Sequence, residues 1–266
     1  MEKKRADIIL FEKGLVESRE KAKRVIMEGT VFIGDMRIDK PGEKVSIDDP
    51  IEIKKNPLTY VSRGGLKLEK AIKYFNLNLE DKITMDIGAS TGGFTDCMLQ
   101  YGARKVYAID VGYGQLDWKL RKDPRVVVKE RTNIRHVTKE DIDEIFDLIS
   151  IDVSFISLRL VLPVAKELLA DDGHIVALIK PQFEAGRDKV GKKGIVRDRN
   201  IHIEVIKAIA DFSNSIQLNI VDLDYSPIAG ATGNIEFLAY ISKNMDESSI
   251  DDEYILKVVS EAHESL

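Results

Sequence analysis

The 266-residue chain is 44% hydrophobic and 32% charged with a net charge of -5, an ordinary globular profile with room for one large domain or a small and a medium one. No apolar run approaches the roughly 20 residues that cross a bilayer, and the start MEKKRADIIL lacks the apolar stretch of a signal peptide, so neither membrane insertion nor secretion is expected. Cys97 is the single cysteine, and His136, His174, His202 and His263 lie far apart; no disulfide and no metal site is expected, and a reducing cytoplasm is the expected setting.

The N-terminal segment reads as two short helices and then short strands. Ala6, Ile9 and Leu10 run at helical spacing until Gly14, and Ser18 caps a second helix that buries Ala22, Val25 and Ile26 and ends at Gly29. Strands follow at Val31 to Ile33, Arg37 to Asp39, around Val45, and Ile51 to Ile53, with turns at Gly34-Asp35 and Lys40-Pro41-Gly42. The first 26 residues carry eight Lys/Arg against five Asp/Glu, a local excess of the kind phosphate binding needs despite the acidic total. The wording Leu15, Ser18-Arg19, Ala22, Ile26, Gly29, Val31, Asp39-Lys40-Pro41, Val45, Asp48 and Ile51 resembles the S4 RNA-binding domain. That resemblance implies that Arg19, Lys23 and Arg24 grip RNA phosphates; Lys4 and Arg5 extend the same basic set.

Beyond a linker at Asn56 to Tyr60, a helix from Gly65 to Phe75 leads into apolar strands alternating with helical segments. The strands are expected at Ile83 to Ile87, Lys105 to Ile109, Val126 to Lys129, Leu148 to Ile151, Ile175 to Ile179, Leu218 to Asp222 and Glu236 to Ile241. Seven strands with crossover helices predict a mainly parallel, doubly wound α/β sheet that binds its ligand beyond the strands' carboxyl ends. The expected domains are 1–58, 59–244 and an acidic tail, 245–266, in which Asp246, Glu247, Asp251, Asp252, Glu253, Glu261 and Glu264 face only Lys257, and whose apolar spacing allows a short docked helix.

The loop after the first strand, Asp86-Ile87-Gly88-Ala89-Ser90-Thr91-Gly92-Gly93-Phe94, departs from the G-x-G-x-x-G spacing of a dinucleotide site. An acidic opening and loose glycines suit a phosphate-free ligand with an amino acid group, S-adenosylmethionine, and Asp110 at the end of the second strand is placed to accept from two ribose hydroxyls. Lys67, Asp152, Lys180 and Glu236 fall where this fold places chemistry; two cations and two anions at one mouth could form a buried network in which one lysine becomes a base. Arg187 to Arg199, with six Lys/Arg against two Asp/Glu, reads as a mobile loop closing over RNA.

The segments SRGGLKLEKA, DIGASTGGFTD, AIDVGYGQL, ERTNIR, IDVSFISL, IKPQFEAG and GNIEFLAYI resemble the TlyA family of S4-domain-containing ribosomal RNA 2'-O-methyltransferases, often labelled haemolysins. The resemblance implies a Rossmann-like seven-stranded methyltransferase domain behind a small α+β S4-like domain, acting on ribosomal RNA or ribosomal subunits at a cytidine ribose. It implies Lys67, Asp152, Lys180 and Glu236 as the catalytic set, with Asp86, Gly88, Ser90, Gly92, Gly93, Phe94, Asp110 and Asn133 toward the cofactor. Arg63, Arg187, Lys192 and Lys193 complete the candidate RNA-binding residues. Three rival readings are a membrane-lytic toxin, a non-catalytic RNA-binding protein, and a nicotinamide dehydrogenase.

Overall fold

The computed structural model describes residues 3–266 except 28, 35, 39, 54–58, 231 and 246–249. Asp35, Asp39, the 56–58 part of the linker, Asp246 and Glu247 lie outside the described residues. The chain folds as two units, Met1–Arg63 and Gly64–Leu266.

In the first unit, α1 (Ala6–Glu12) and α2 (Arg19–Met27) pack beside β1 (Lys3–Arg5), β2 (Val31–Ile33), β3 (Met36–Arg37), β4 (Lys44–Ser46) and β5 (Ile51–Ile53). Both helices stop at a left-handed glycine, Gly14 (φ 68°) and Gly29 (φ 71°), as a side chain-free C-terminal cap allows. Ser18 caps α2 by accepting the Lys21 amide at 3.1 Å. Ala6, Ile9, Leu10, Ala22, Val25, Ile26, Val31, Ile38, Val45 and Ile51 form one small core. The third strand spans Met36–Arg37, shorter than expected. β1, which hydrophobic patterning does not show because it is Lys-Lys-Arg, exists by antiparallel pairing with β4.

The second unit contains α3 (Gly64–Tyr74), β6 (Ile83–Ile87), α4 (Gly93–Gln100), β7 (Lys105–Ile109), α5 (Trp118–Arg121), β8 (Val126–Lys129), β9 (Phe146–Ile151) and α6 (Leu162–Leu168). It continues with β10 (Leu169–Ile179), α7 (Pro181–Glu184), α8 (Arg199–Ser215), β11 (Asn219–Tyr225), β12 (Phe237–Ser242) and α9 (Asp252–Ser265). The sheet order is β11-β12-β10-β9-β6-β7-β8, with β12 antiparallel to both neighbours and every other pairing parallel. From β6 the chain steps outward to β7 and β8, then returns to β9 on the other side, so the carboxyl ends of β6 and β9 flank the switch point where such sheets hold ligands.

β10 differs from the sequence expectation: it starts at Leu169, upstream of the apolar run, with a register shift between Leu169 and His174. The acidic segment holds the helix that its apolar spacing allowed: Ile255, Val258, Val259 and Ala262 of α9 are buried in the main core, against α8 and β11.

Candidate active site

Three strands end together and the fourth begins beside them. In the parallel register Ile87 pairs with Ile151, so Gly88 lies alongside Asp152; a Cβ at Gly88 would stand 2.5 Å from the Asp152 carbonyl oxygen, and its φ is 87°. Only glycine allows that approach. Ile179 pairs with Phe237 in the antiparallel register, which brings Lys180, just past β10, beside Glu236, just before β12. The reversal of β12 is therefore what delivers a carboxylate to a mouth otherwise built from strand ends.

Lys67, Lys180 and Glu236 are buried, and they sort into two ion pairs with Asp152. Lys67 Nζ lies 2.6 Å from Glu236 Oε2 and Lys180 Nζ lies 2.5 Å from Asp152 Oδ1. Lys180 Nζ also donates to Ser154 Oγ at 3.3 Å. Gln182, two residues past Lys180, donates to Glu236 Oε1 at 3.5 Å and so ties the Lys67 pair to the Lys180 segment. The residue pattern assigns Gln182 no role; its spacing from Lys180 across a single proline turn is the one signal it carries.

Beside these pairs is a cavity of about 660 Å³ lined by Gly88, Ser90, Asp110, Asn133, Asp152 and the segment after it, with Val111, Ile134 and Val153 as its apolar walls. The Asp110 carboxylate accepts the Ser90 amide at 2.8 Å and the Gly112 amide at 2.7 Å, which holds both rim loops around one acceptor. Four expected cofactor residues sit behind this surface. Asp86 is fully buried: its carboxyl accepts from the Thr95 amide at 2.9 Å, Thr95 Oγ1 at 2.7 Å and Ser150 Oγ at 3.1 Å, so it braces the loop from inside, and burial pushes its pKa up to about 7. Gly92 faces Leu116 and Leu120, where a Cβ would come within 2.2 Å of the Leu120 side chain, and Gly93 and Phe94 begin α4 in the interior. Gly92, Gly93 and Phe94 are not among the residues lining the cavity, since the loop turns at Ser90 (φ 49°) and Gly92 (φ 95°) and passes into α4.

The first turn of α4, where a pyrophosphate would seek backbone amides, is already served by the Asp86 carboxyl through Thr95. The lining of the cavity sets apolar walls beside two carboxylates, Asp110 and Asp152, and one cation, Arg135.

The FtsJ-like methyltransferase family matches residues 60–243 and the S4 domain residues 4–51. YqxC of Bacillus subtilis is 54% identical, covering 99% of this chain and 95% of that protein. The 16S/23S rRNA (cytidine-2'-O)-methyltransferase TlyA of Mycobacterium tuberculosis is 40% identical over 92% of this chain and 91% of its own length. The chain belongs to the TlyA family. A solved structure from Streptococcus thermophilus titled as a hemolysin covers 100% of this TlyA chain and 97% of its own, with a TM-score of 0.79 at 49% identity.

The basic residues of this TlyA chain divide by partner. Arg5 binds Asp7 through two bonds, 2.9 and 3.1 Å, and Arg19 reaches the same carboxylate at 3.2 Å. Asp7 is fully buried while both guanidinium side chains remain about half exposed, so two arginines are held side by side with their outer edges toward solvent. Lys4 pairs with Glu12 at 3.0 Å, Lys23 and Arg24 are exposed on α2, and Arg63 is half-buried. Arg187, Lys192 and Lys193 are exposed, and the segment that carries them is hydrogen-bonded at its far end. Fully buried Asn234 accepts the Val196 amide at 2.9 Å and donates to the Gly194 carbonyl at 2.8 Å. His202 Nε2 then donates to the Val196 carbonyl at 3.1 Å, leaving Nδ1 to accept from His263 Nε2 of α9 at 3.0 Å.

Proposed function

We propose that this TlyA chain transfers the methyl group of S-adenosylmethionine to the 2'-hydroxyl of a cytidine in ribosomal RNA. The observation that carries the reading is the Lys180–Asp152 pair, whose Asp152 lines the cavity, with the Lys67–Glu236 pair joined to it through Gln182. Asp110 would hold the nucleoside ribose, Gly88 and Ser90 the amino acid end, and Val111 and Ile134 the adenine. When bound, S-adenosylmethionine supplies a methyl group already activated by its sulfonium charge.

The remaining work is positioning and removal of one proton. Lys180 accepts the 2'-hydroxyl proton as the oxygen attacks the methyl group. Asp152 keeps Lys180 aimed, and the Lys67 ammonium, oriented by Glu236, stabilises the oxygen as charge develops. Phe155, 91% exposed on the cavity rim, offers a flat apolar face for a base turned out of its stack. Phosphates of the surrounding RNA are expected to engage Arg5 and Arg19 of the S4 domain and the Arg187 to Lys193 segment.

Methyl transfer from labelled S-adenosylmethionine to ribosomal subunits, followed by mapping of 2'-O-methyl groups, tests the reading. Label on a cytidine ribose supports it; label on bases alone, or on no RNA, overturns it. Among the described residues, no helix is long and apolar enough to cross a membrane.

A further inference from the structure

Glu184 closes α7, four residues after Lys180, and is partly buried. Its two oxygens are both committed to one distant segment: Oε2 accepts from Ser157 Oγ at 2.6 Å and Oε1 accepts the Leu158 amide at 2.7 Å. Ser157 Oγ in turn accepts the Arg159 amide at 3.2 Å and so starts the 3-10 turn Leu158–Leu160. The segment held in this way runs directly from Asp152. It supplies Ser154 to the Lys180 ammonium and forms the cavity wall from Val153 to Ser157.

That segment is strained. Phe155 has φ 62°, a left-handed conformation that is unfavourable for a bulky L-residue and persists only where the surroundings over-determine it. Its ring is 91% exposed, so burial does not hold it. What meets it is Phe183, ring centroid to ring centroid 5.1 Å, the residue immediately before Glu184. Lys180, Gln182, Phe183 and Glu184 thus all reach from one turn toward groups of the reacting centre or its wall.

We propose that Glu184 is a positioning residue for methyl transfer: by clamping Ser157 and Leu158 it fixes the segment 153–158 against the turn that carries Lys180, so the Lys180, Asp152 and Ser154 constellation and the cofactor wall are set before substrate arrives. The proposal rests on the reading of Lys180 and Asp152 as the reacting pair. The carboxylate matters because two donors converge on it and each finds its own oxygen. Glutamine retains the geometry, accepting the Leu158 amide and donating to Ser157 Oγ, whereas alanine releases both. Burial raises the Glu184 pKa, opposed by its two hydrogen bonds and by Arg159, the charged side chain facing it.

The test uses the full-length protein with Glu184→Ala, Glu184→Gln, Ser157→Ala and the Glu184→Ala/Ser157→Ala double variant. Two quantities are read: S-adenosylmethionine affinity by calorimetry, and the single-turnover rate of methyl transfer to ribosomal subunits at saturating cofactor. Misplacement of a reacting group by about 1 Å costs on the order of 100-fold, so Glu184→Ala is expected to lose about 10- to 100-fold in rate and to bind the cofactor more weakly. Glutamine should recover most of both, Ser157→Ala should lose less than Glu184→Ala, and the double variant should match Glu184→Ala, since the shared bond is already gone. Wild-type rate and affinity in folded Glu184→Ala, equal loss in the alanine and glutamine variants, or fully additive losses in the double variant would each overturn the proposal. Should Glu184→Ala not fold, Ser157→Ala and Glu184→Gln carry the test: unchanged rate and affinity in Ser157→Ala, or loss in Glu184→Gln as large as in Ser157→Ala, refutes it. If the wild-type protein binds the cofactor yet methylates no ribosomal RNA, the functional reading fails while calorimetry still decides the clamp.

Discussion

Substituting Lys180 by arginine separates charge from proton transfer. Lys180 is 7% exposed and sits 2.5 Å from an Asp152 carboxylate whose side chain is 21% exposed, so the pair is largely desolvated. Removing the cation outright, as in Lys180→Met, strands that carboxylate, and breaking a buried pair costs roughly 3–5 kcal/mol, here toward the lower end because Asp152 still touches solvent. Lys180→Met therefore confounds folding with chemistry. Arginine keeps the positive charge against Asp152 but does not release a proton in proteins. If Lys180 is the base, turnover should fall by about 100- to 10,000-fold, or about 3–5 kcal/mol in the barrier, at nearly unchanged cofactor affinity. Single-turnover methyl transfer at saturating S-adenosylmethionine, across pH, reads this directly. Near wild-type turnover by Lys180→Arg would mean that Lys180 only stabilises the developing oxyanion, and the general-base assignment would be wrong.

Asp110→Ala is expected to weaken S-adenosylmethionine binding by about one to two decades, the worth of hydrogen bonds to a charged acceptor, while Asp86→Asn should leave it nearly unchanged; calorimetry showing the reverse order would mean the loop faces have been misassigned. Asp86 also predicts a pH dependence. With its folded pKa raised to about 7, its contribution to stability is fully present below about pH 4 and lost as pH rises through 7, and Asp86→Asn should flatten that arm in thermal melts. His202 acts in the opposite direction: burial lowers it to about 4, so its contribution is present above about pH 6.5 and lost as pH falls through 4. His202→Gln should remove that acid limb, and an unchanged slope would show that other groups cause it. Replacing Arg5 and Arg19 by alanine should weaken RNA binding and reduce its salt dependence by about 0.7–0.9 log units per log unit of salt for each phosphate no longer neutralised, which a titration at several salt concentrations measures.

The sheet and the four charged residues proposed to react are legible in the sequence for different reasons. Strands such as Ile83–Ile87 and Lys105–Ile109 announce themselves by apolar runs bounded by turn residues, and Lys180 stands out because a charge follows five buried apolar residues. The direction a side chain takes is harder to read. Asp86 and Asp110 both lie at the carboxyl end of a strand, yet Asp86 turns inward because Ser150 and Thr95, from elements outside its own strand, offer it partners. β1 is hidden for a related reason: its three charged residues carry no period, and its partner strand lies some forty residues on. Glu184 and Asn234 act through backbone groups of remote loops, which leave no trace in a residue pattern.

The docked helix α9 changes how the end of the chain should be treated. The methyltransferase family match stops at residue 243, and a chain shortened there would keep every residue proposed to react. It would lose Ile255, Val258, Val259 and Ala262 from the core, and with His263 the hydrogen-bond donor to His202, whose opposite nitrogen steadies the Val196 carbonyl. The last turns of the protein thus bear, two side chains away, on the basic segment proposed to meet RNA. A shortened enzyme could therefore retain its reacting groups and still lose its grip on substrate.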